Sequence, residues 1–412
     1  MAESQHTYQV TPTTFVYGGE ALGRLPDGRA VFIPFTLPEE EVLIRLTEDK
    51  KRYARGEVVE ILEVGEGRID PRCFHYGECG GCHYQHLPYE RQLDVKRDVL
   101  LDQLSRIGGI ADPPVEDTVP SPRPWYYRNR VQFHLSPGGE LGFINHRGEE
   151  VMPIRECHLL DEVLQAVWPT LEMDAVPGLD RVALRSGEGE EDALLILESS
   201  DPQPIEFEVD FTLSAVHRGP GGELVLSGDD FTIVEVLGFP FVVSAGAFFQ
   251  VNTGTAEQII EHLLETLPLT DQTVLLDVYC GVGLFSVFLA PEVKKCIGIE
   301  TSPAAADDFM HNLAEFEQVE LYQASAEDVL PHLEERPDVI LVDPPRGGLS
   351  GEALDAITGL GPEVICYISC DPATLARDAK RLAEHGYRLT RSTPFDMFPQ
   401  TYHIESVNLF HQ

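Results

Sequence analysis

Up to residue 63 the chain alternates apolar and polar positions in short runs broken by turns: TYQVTPTTFVYGG, RAVFIPF, EEVLIRLTE and ARGEVVEILEV. A two-residue period at such short spacing predicts the strands of a small β-barrel. LPYERQLDVKRDVLLDQLSRIGG (87–109) then carries a helical period and runs out on Gly108-Gly109, a C-cap signal. Residues 110–122 are proline-rich and read as a linker. Between 124 and 240 strand signals return in VQFHLSP, LGFINHR, VALRSG, ALLILES, EFEVDFTLSAVHR and FTIVEVLGFPFVV, separated by turns rich in Gly, Pro and Asp. After Ala247 the rhythm changes again. TAEQIIEHLLETL is helical, TVLLDVYC and KKCIGIE are buried strands, and PAAADDFMHNLAEF is a helix. VELYQAS, PDVILVDPP, LDAITGL, EVICYISC, TLARDAKRLAEHG and YRLTRSTPFDM continue the alternation, which predicts a doubly wound parallel sheet. The expectation is a multidomain chain of mixed α/β and β class. It has a barrel over 1–63, a β-rich region over 64–240 and an α/β domain over 241–412, on which the helix of 87–109 packs. No internal repeat or low-complexity tract interrupts this order.

Composition adds constraints. A length of 412 residues fits two or three domains, and the 43% apolar content is enough to build packed cores. No run of about 18 apolar residues is present, and MAESQHTYQV has no basic stretch followed by an apolar one. Neither a membrane span nor a secretory signal is therefore expected. Eight scattered cysteines in such a chain point to a reducing cytoplasm, and to metal or catalytic use before disulfides. The 30 basic against 69 acidic residues give a net charge of -39, the opposite of the usual nucleic-acid footprint. Two stretches run against that trend. One is KKRYARG (50–56). The other is RPWYYRNRVQFHL (123–135), where Arg123, Arg128 and Arg130 interleave with Trp125, Tyr126 and Tyr127. Arginine on phosphates with aromatics on bases is how single-stranded RNA is gripped. The same pattern also describes an amphipathic strand with a polar face.

The α/β half carries the chemistry. LLDVYCGVGLFS (275–286) is an apolar strand ending in an acid, then a glycine turn into a helix. Gly281 and Gly283 let the backbone approach a ligand, but the spacing is not the dinucleotide fingerprint. Glu300 closes the next strand, 23 residues after Asp277. Two acids at consecutive strand ends are the layout of an S-adenosylmethionine site, the acid of the second strand taking ribose hydroxyls. Asp277 could alternatively cap the following helix. Asp343, in LVDPPRGGL, projects into the same crevice. Arg346 stands where adenine-amino methyltransferases carry a stacking aromatic, which argues against amino-group methylation. EVICYISC places Cys366, Ile368 and Cys370 on one strand face, Cys366 in the core and Cys370 at the tip. A thiol there can act as a nucleophile, and helix amides beginning near Thr374 are expected to lower its pKa. Cys73-x5-Cys79-x2-Cys82, with distant Cys157, suits structural zinc or an iron–sulfur cluster, and the spacing leaves that choice open. His75, His83 and His86 read as surface or packing residues.

Through FFQVN (248–252), DVYCGVG (277–283), DPPRGGL (343–349), SCDPATLARD (369–378) and DMFPQTYHIESV (396–407), the chain resembles the S-adenosylmethionine-dependent RNA uracil-C5 methyltransferase family. The resemblance implies Cys370 as nucleophile and Glu405 as the base that removes the C5 proton. It implies Gln250, Tyr279, Glu300 and Asp343 as cofactor contacts, and a Rossmann-like methyltransferase domain. The position after Gly283, often Asn in the family, is Leu284 here. The resemblance favours a 4Fe-4S cluster on Cys73, Cys79, Cys82 and Cys157. It also likens the N-terminal barrel to the oligonucleotide-binding TRAM domain. The expected partner is RNA, 23S ribosomal RNA first and the T-loop uridine of tRNA as the alternative. DNA and membrane are not expected partners, and the expected state is a cytoplasmic monomer. The rival readings are a non-catalytic RNA-binding or RNA-folding protein, and a methyltransferase acting on small molecules or proteins.

Overall fold

The computed structural model describes residues 7–171, 178–187, 189, 192–201 and 213–412. The strand signal of EFEVDFTLSAVHR falls partly, over 206–212, outside these residues.

The N-terminal alternation folds into the strands it predicts. Strands β1 (Thr7–Val10), β2 (Thr14–Phe15), β3 (Glu20–Arg24), β4 (Ala30–Pro34), β5 (Glu41–Asp49) and β6 (Tyr53–Glu63) form one sheet, ordered β1-β5-β6-β4-β3-β2. Every second residue points inward, so Val31 and Ile33 of β4 meet Val42 and Ile44 of β5 in a small apolar core. Gly18 and Gly19 turn the chain between β2 and β3 at φ of 110° and 83°.

Helix α1 (Tyr89–Arg106) is shorter than the periodic stretch that predicts it. Pro88 occupies its N-cap, and Gly109 leaves the helix at φ 69°. Residues 110–122 are not a free linker. Val115 and Val119 lie parallel to Ser392 and Phe395, with Glu116 N–H donating to the Ser392 carbonyl (2.9 Å) and Val119 N–H to that of Pro394 (2.8 Å). Pro113 and Pro114 lack N–H donors, which restricts such a segment to a sheet edge.

The middle of the chain builds a second sheet from β7 (Arg130–Leu135), β8 (Leu141–Ile144), β9 (Val151–Pro153), β10 (Leu179–Ser186), β11 (Ala193–Ser199), β12 (Ser214–Gly219) and β13 (Gly222–Ser227), with the short helix α2 (Glu162–Val167) packed on it. Its order is β13-β12-β11-β10-β7-β8-β9. The hairpin β14 (Phe231–Val236) and β15 (Phe239–Ser244) stands apart. Its Val234, Val236, Phe241 and Val243 are buried in the core of the C-terminal region, so the boundary expected at residue 240 falls inside β15.

That C-terminal region alternates α3 (Thr253–Thr266), β16 (Val274–Val278), α4 (Leu284–Leu289), β17 (Lys295–Glu300), α5 (Pro303–Asn312), β18 (Val319–Gln323), α6 (Ala326–Val329), β19 (Val339–Val342), α7 (Gly351–Leu360), β20 (Val364–Ser369) and α8 (Pro372–Glu384), then closes with β21 (Arg388–Phe395) and β22 (Glu405–His411). The sheet order is β18-β17-β16-β19-β20-β22-β21. The first five strands are parallel, and β22 is antiparallel to both β20 and β21. Strand parity assigns the helices to faces. Leu275, Cys296, Leu341, Cys366 and Val407 pack with α3, α4 and α5. Leu276, Ile297, Ile340, Ile365 and Phe410 pack with α7, α8 and, through Leu100 and Leu104, α1. Among the described residues, no helix is long and apolar enough to cross a membrane.

Candidate active site

The same parity gathers the candidate residues. Asp277 follows Leu275 by two, Glu300 follows Cys296 by four, Asp343 follows Leu341 by two, and Cys370 follows Cys366 by four. All extend the α3–α5 face to the carboxyl edge of the parallel strands. Strand β22 runs the other way, so its first residue starts at that edge. Ser369 pairs with Ser406, which brings Cys370 level with Glu405. Five residues spread over 129 positions thus share one edge of one face.

At the β16–β17 end, Asp277 does not cap α4. The N-cap position is Gly283, with φ 90° and no side-chain cap. Asp277 is instead buried, with Oδ2 accepting from Ser286 Oγ at 2.6 Å and Oδ1 lacking a hydrogen-bond partner. Burial pushes its carboxyl up to about 7, and the nearby Glu300 charge adds to the rise. Glu300 is fixed from both sides, Oε2 accepting Gly281 N–H (3.0 Å) and Oε1 accepting Ser302 N–H (2.7 Å). Tyr279 turns the chain at φ 67°, its N–H donating to the Ile299 carbonyl at 2.9 Å, and its side chain is half-buried. Gln250 is buried in the segment before α3. The segment is pinned by Asn129 Nδ2 donating to the Gln250 carbonyl (3.0 Å) and Asn252 Nδ2 donating to the Met397 carbonyl (3.1 Å).

At the β19–β20–β22 end, Cys370 is partly exposed and Glu405 is buried. The expected lowering of the Cys370 pKa does not occur. Asp371 caps α8 with Oδ1 accepting from Ala373 N–H and Thr374 N–H, both at 2.9 Å, so those amides are already engaged. Burial, then the charges of Glu405 and Asp343, push the thiol up to about 12, while the Arg346 guanidinium pulls the other way. Burial also raises Glu405 well above the usual carboxylate range, and Asp343 reinforces it. Asp343 itself rises through burial and the Asp277 charge. Both carboxyls thus hold their protons more tightly than an exposed acid does.

The four expected cluster cysteines, from two separate stretches, come together. Cys73, Cys79, Cys82 and Cys157 line one cavity of about 310 Å³, whose wall also includes Arg346 and His403. Among the described residues, no three His, Cys, Asp or Glu side chains stand as ligands of one metal ion. His75 and His86 are buried packing residues, His75 Nε2 taking the Arg155 N–H at 2.9 Å. The aromatic–arginine stretch is largely built into this neighbourhood. Tyr127 is buried with its hydroxyl donating to the Pro399 carbonyl (3.2 Å), and Arg128 lines the cavity. Trp125 and Tyr126 carry the Arg72 guanidinium at 5.3 and 5.0 Å. Sequence reasoning missed Ser286, Asp371 and the Lys96–Asp396 pair. Each works through a partner distant in sequence or through a hydroxyl that no motif marks.

A family model described as tRNA (Uracil-5-)-methyltransferase matches residues 210–337 and 333–412, and a TRAM domain model matches residues 7–59. A protein of Thermotoga maritima named an uncharacterized RNA methyltransferase is 32% identical, with 97% of each chain covered. One of the same name from Aquifex aeolicus is 34% identical, again with 97% of each covered. The crystal structure of Pyrococcus abyssi tRNA (uracil-54, C5)-methyltransferase in complex with S-adenosyl-L-homocysteine shares the fold. Its TM-score is 0.73 at 24% identity, covering 98% of this chain and all of that one. The chain belongs to the RNA (uracil-5-)-methyltransferase family and carries a TRAM domain at its N-terminal end.

Proposed function

We propose that the protein methylates C5 of a specific uridine in RNA, with S-adenosylmethionine as donor and Cys370 as covalent nucleophile. The observation that carries this reading is the single edge where Cys370, Glu405 and Asp343 interact, beside Asp277 and Glu300. The C-terminal domain is Rossmann-like in this reading, and its strand order supports a ligand at the carboxyl edge. Gln250, Tyr279, Glu300 and Asp343 would hold the donor. Glu300, fixed by two backbone amides, suits ribose hydroxyls, and the open space beside Gly281 leaves room for close approach. Bound there, S-adenosylmethionine supplies an electrophilic methyl on a cationic sulfur. C5 of uracil is a weak nucleophile, and the Cys370 thiolate adding to C6 makes C5 an enolate carbon. After C5 gains the methyl group, Glu405 removes the C5 proton. The C6–S bond then breaks, returning Cys370 as thiolate and restoring the ring double bond.

The gathering of Cys73, Cys79, Cys82 and Cys157 around one cavity supports a shared inorganic centre, and the family resemblance favours a 4Fe-4S cluster over zinc there. Its role is structural, holding residues 73–82 to Cys157. Brown-yellow absorbance with matching iron and sulfide in anaerobically purified protein is the expected result, and a colourless zinc protein would contradict it. The eight unpaired cysteines accord with a reducing cytoplasm.

23S ribosomal RNA is the proposed substrate, and the T-loop uridine of tRNA, which the family model's description favours, is the alternative. Mapping 5-methyluridine in both RNAs from cells lacking the gene separates the two. Loss in neither, with Cys370→Ala fully functional in the cell, would favour a non-catalytic RNA-binding role.

A further inference from the structure

The N-terminal sheet reaches the nucleophile directly. Tyr17, in the turn between β2 and β3, donates its hydroxyl to Asp371 Oδ2 at 2.9 Å, across 354 residues of sequence. Asp371 is the residue immediately after Cys370. Its other oxygen caps α8, and its backbone N–H and carbonyl are both bonded to Ser369 Oγ, at 3.2 and 3.0 Å. Cys370 therefore sits between two residues that bond each other, and the outer one is anchored at α8 on one side and Tyr17 on the other. The Tyr17 ring also packs edge-on against Tyr402, centroids 5.6 Å apart, in the run that leads into Glu405. Phe15, Tyr17 and Leu37 of the N-terminal region pack with Tyr84, Leu87 and Ile404, the residue before Glu405. The turn is held close, because a Cβ on Gly19 would lie 3.0 Å from His83 Cβ. One tyrosine thus touches the segments carrying both proposed reacting groups.

We propose that Tyr17 is a positioning residue for methyl transfer: through Asp371 it fixes the Cys370 thiol opposite Glu405, so the RNA-binding domain completes the active site. The proposal rests on the reading of Cys370 as nucleophile. Physically, the hydroxyl offsets part of the Asp371 charge, which otherwise opposes thiolate formation at Cys370. It also removes freedom from the turn that aims the sulfur.

The test compares Tyr17→Phe, Asp371→Ser and the double variant in single-turnover methylation of the RNA that the wild-type protein modifies, with Cys370→Ala alongside. Serine keeps the helix cap but is too short to hold Tyr17. Tyr17→Phe is expected to slow methyl transfer by about tenfold, the scale of a lost hydrogen bond to a charged group. RNA affinity should stay at the wild-type value, the melting temperature should fall by no more than a few degrees, and iodoacetamide should alkylate Cys370 more slowly. In the Asp371→Ser background, Tyr17→Phe should have no further effect. A wild-type rate in Tyr17→Phe, a loss explained by weaker RNA binding or by a larger fall in melting temperature, or effects that multiply in the double variant would each overturn the proposal while Cys370→Ala remains inactive. Methylation by Cys370→Ala would overturn the nucleophile reading itself, and this inference with it.

Discussion

Cys370 is a reluctant acid in this fold, and that sets its reactivity. Burial comes first, then the carboxylates of Glu405 and Asp343, and together they hold the thiol at about 12. Only the thiolate is nucleophilic, so alkylation of Cys370 by iodoacetamide should be slow at neutral pH and rise about tenfold per pH unit below that value. Asp343 raises the thiol's pKa, so Asp343→Asn should lower it and speed alkylation at any fixed pH in that range. Mass spectrometry of the modified peptide checks this, and an unchanged or slower rate would contradict it. The same substitution should weaken methyl transfer, because Asp343 is proposed to hold the donor. A single change thus moves thiol reactivity and catalysis in opposite directions. The sequence alone located Cys370, through a cysteine at the tip of a buried strand followed by Asp-Pro. It did not locate the protonation state. Helix amides near Thr374 pointed to a lowered pKa, but Asp371 engages them, and only the fold shows the carboxylates converging on the sulfur.

Among the elements, the turn between β16 and α4 has little tolerance. Gly283 lies at φ 90°, and an added Cβ would come within 2.3 Å of Leu313 Cδ1 and 3.0 Å of Phe309 Cδ2. Gly283→Ala should therefore cost about 1–3 kcal/mol in urea unfolding and reduce S-adenosylmethionine binding. Wild-type stability and affinity would show that the turn relaxes freely. Helix α1 is tied to the C-terminal sheet by Lys96 Nζ, which donates to Asp396 Oδ1 (2.5 Å) and the Phe398 carbonyl (3.0 Å) with both side chains buried. Lys96→Met leaves that carboxylate buried without its cation, and a loss of about 3–5 kcal/mol is expected by denaturant titration. A loss below about 1 kcal/mol would mean that water or another donor replaces the lysine. The alternating strands and helices after Ala247 were legible because each strand is a continuous apolar run bounded by turn residues. The Lys96–Asp396 pair was not, since a lysine on a periodic helix reads as a solvated face until its partner, 300 residues away, is known. For the same reason residues 110–122 read as a linker, though they lie along β21.

For the whole molecule, the net charge of -39 makes RNA binding a local matter. Of the six lysines, Lys96 is buried and Lys295 is paired with Glu320 and Glu335, whereas Lys51 is exposed, with Arg52, in the turn between β5 and β6. RNA affinity should fall as salt rises, and a Lys51→Ala/Arg52→Ala variant should bind more weakly with a shallower salt dependence. Affinity indifferent to salt would exclude a local basic contact. Three parts of the chain meet around the proposed catalytic edge: the N-terminal sheet through Tyr17, the cysteine cavity through Arg346 and His403, and the C-terminal sheet through Cys370 and Glu405. The cysteine spacing and the strand-end acids made each part readable alone, but their meeting depends on long-range packing that no local period encodes. The most direct measurement offers the protein RNA containing 5-fluorouridine at the modified position, together with S-adenosylmethionine. Fluorine occupies the place of the proton that Glu405 is proposed to remove, so a denaturation-stable protein–RNA adduct should accumulate on the Cys370 peptide and be absent from Cys370→Ala. An adduct that persists in Cys370→Ala, or methylated RNA formed by that variant, would contradict the account.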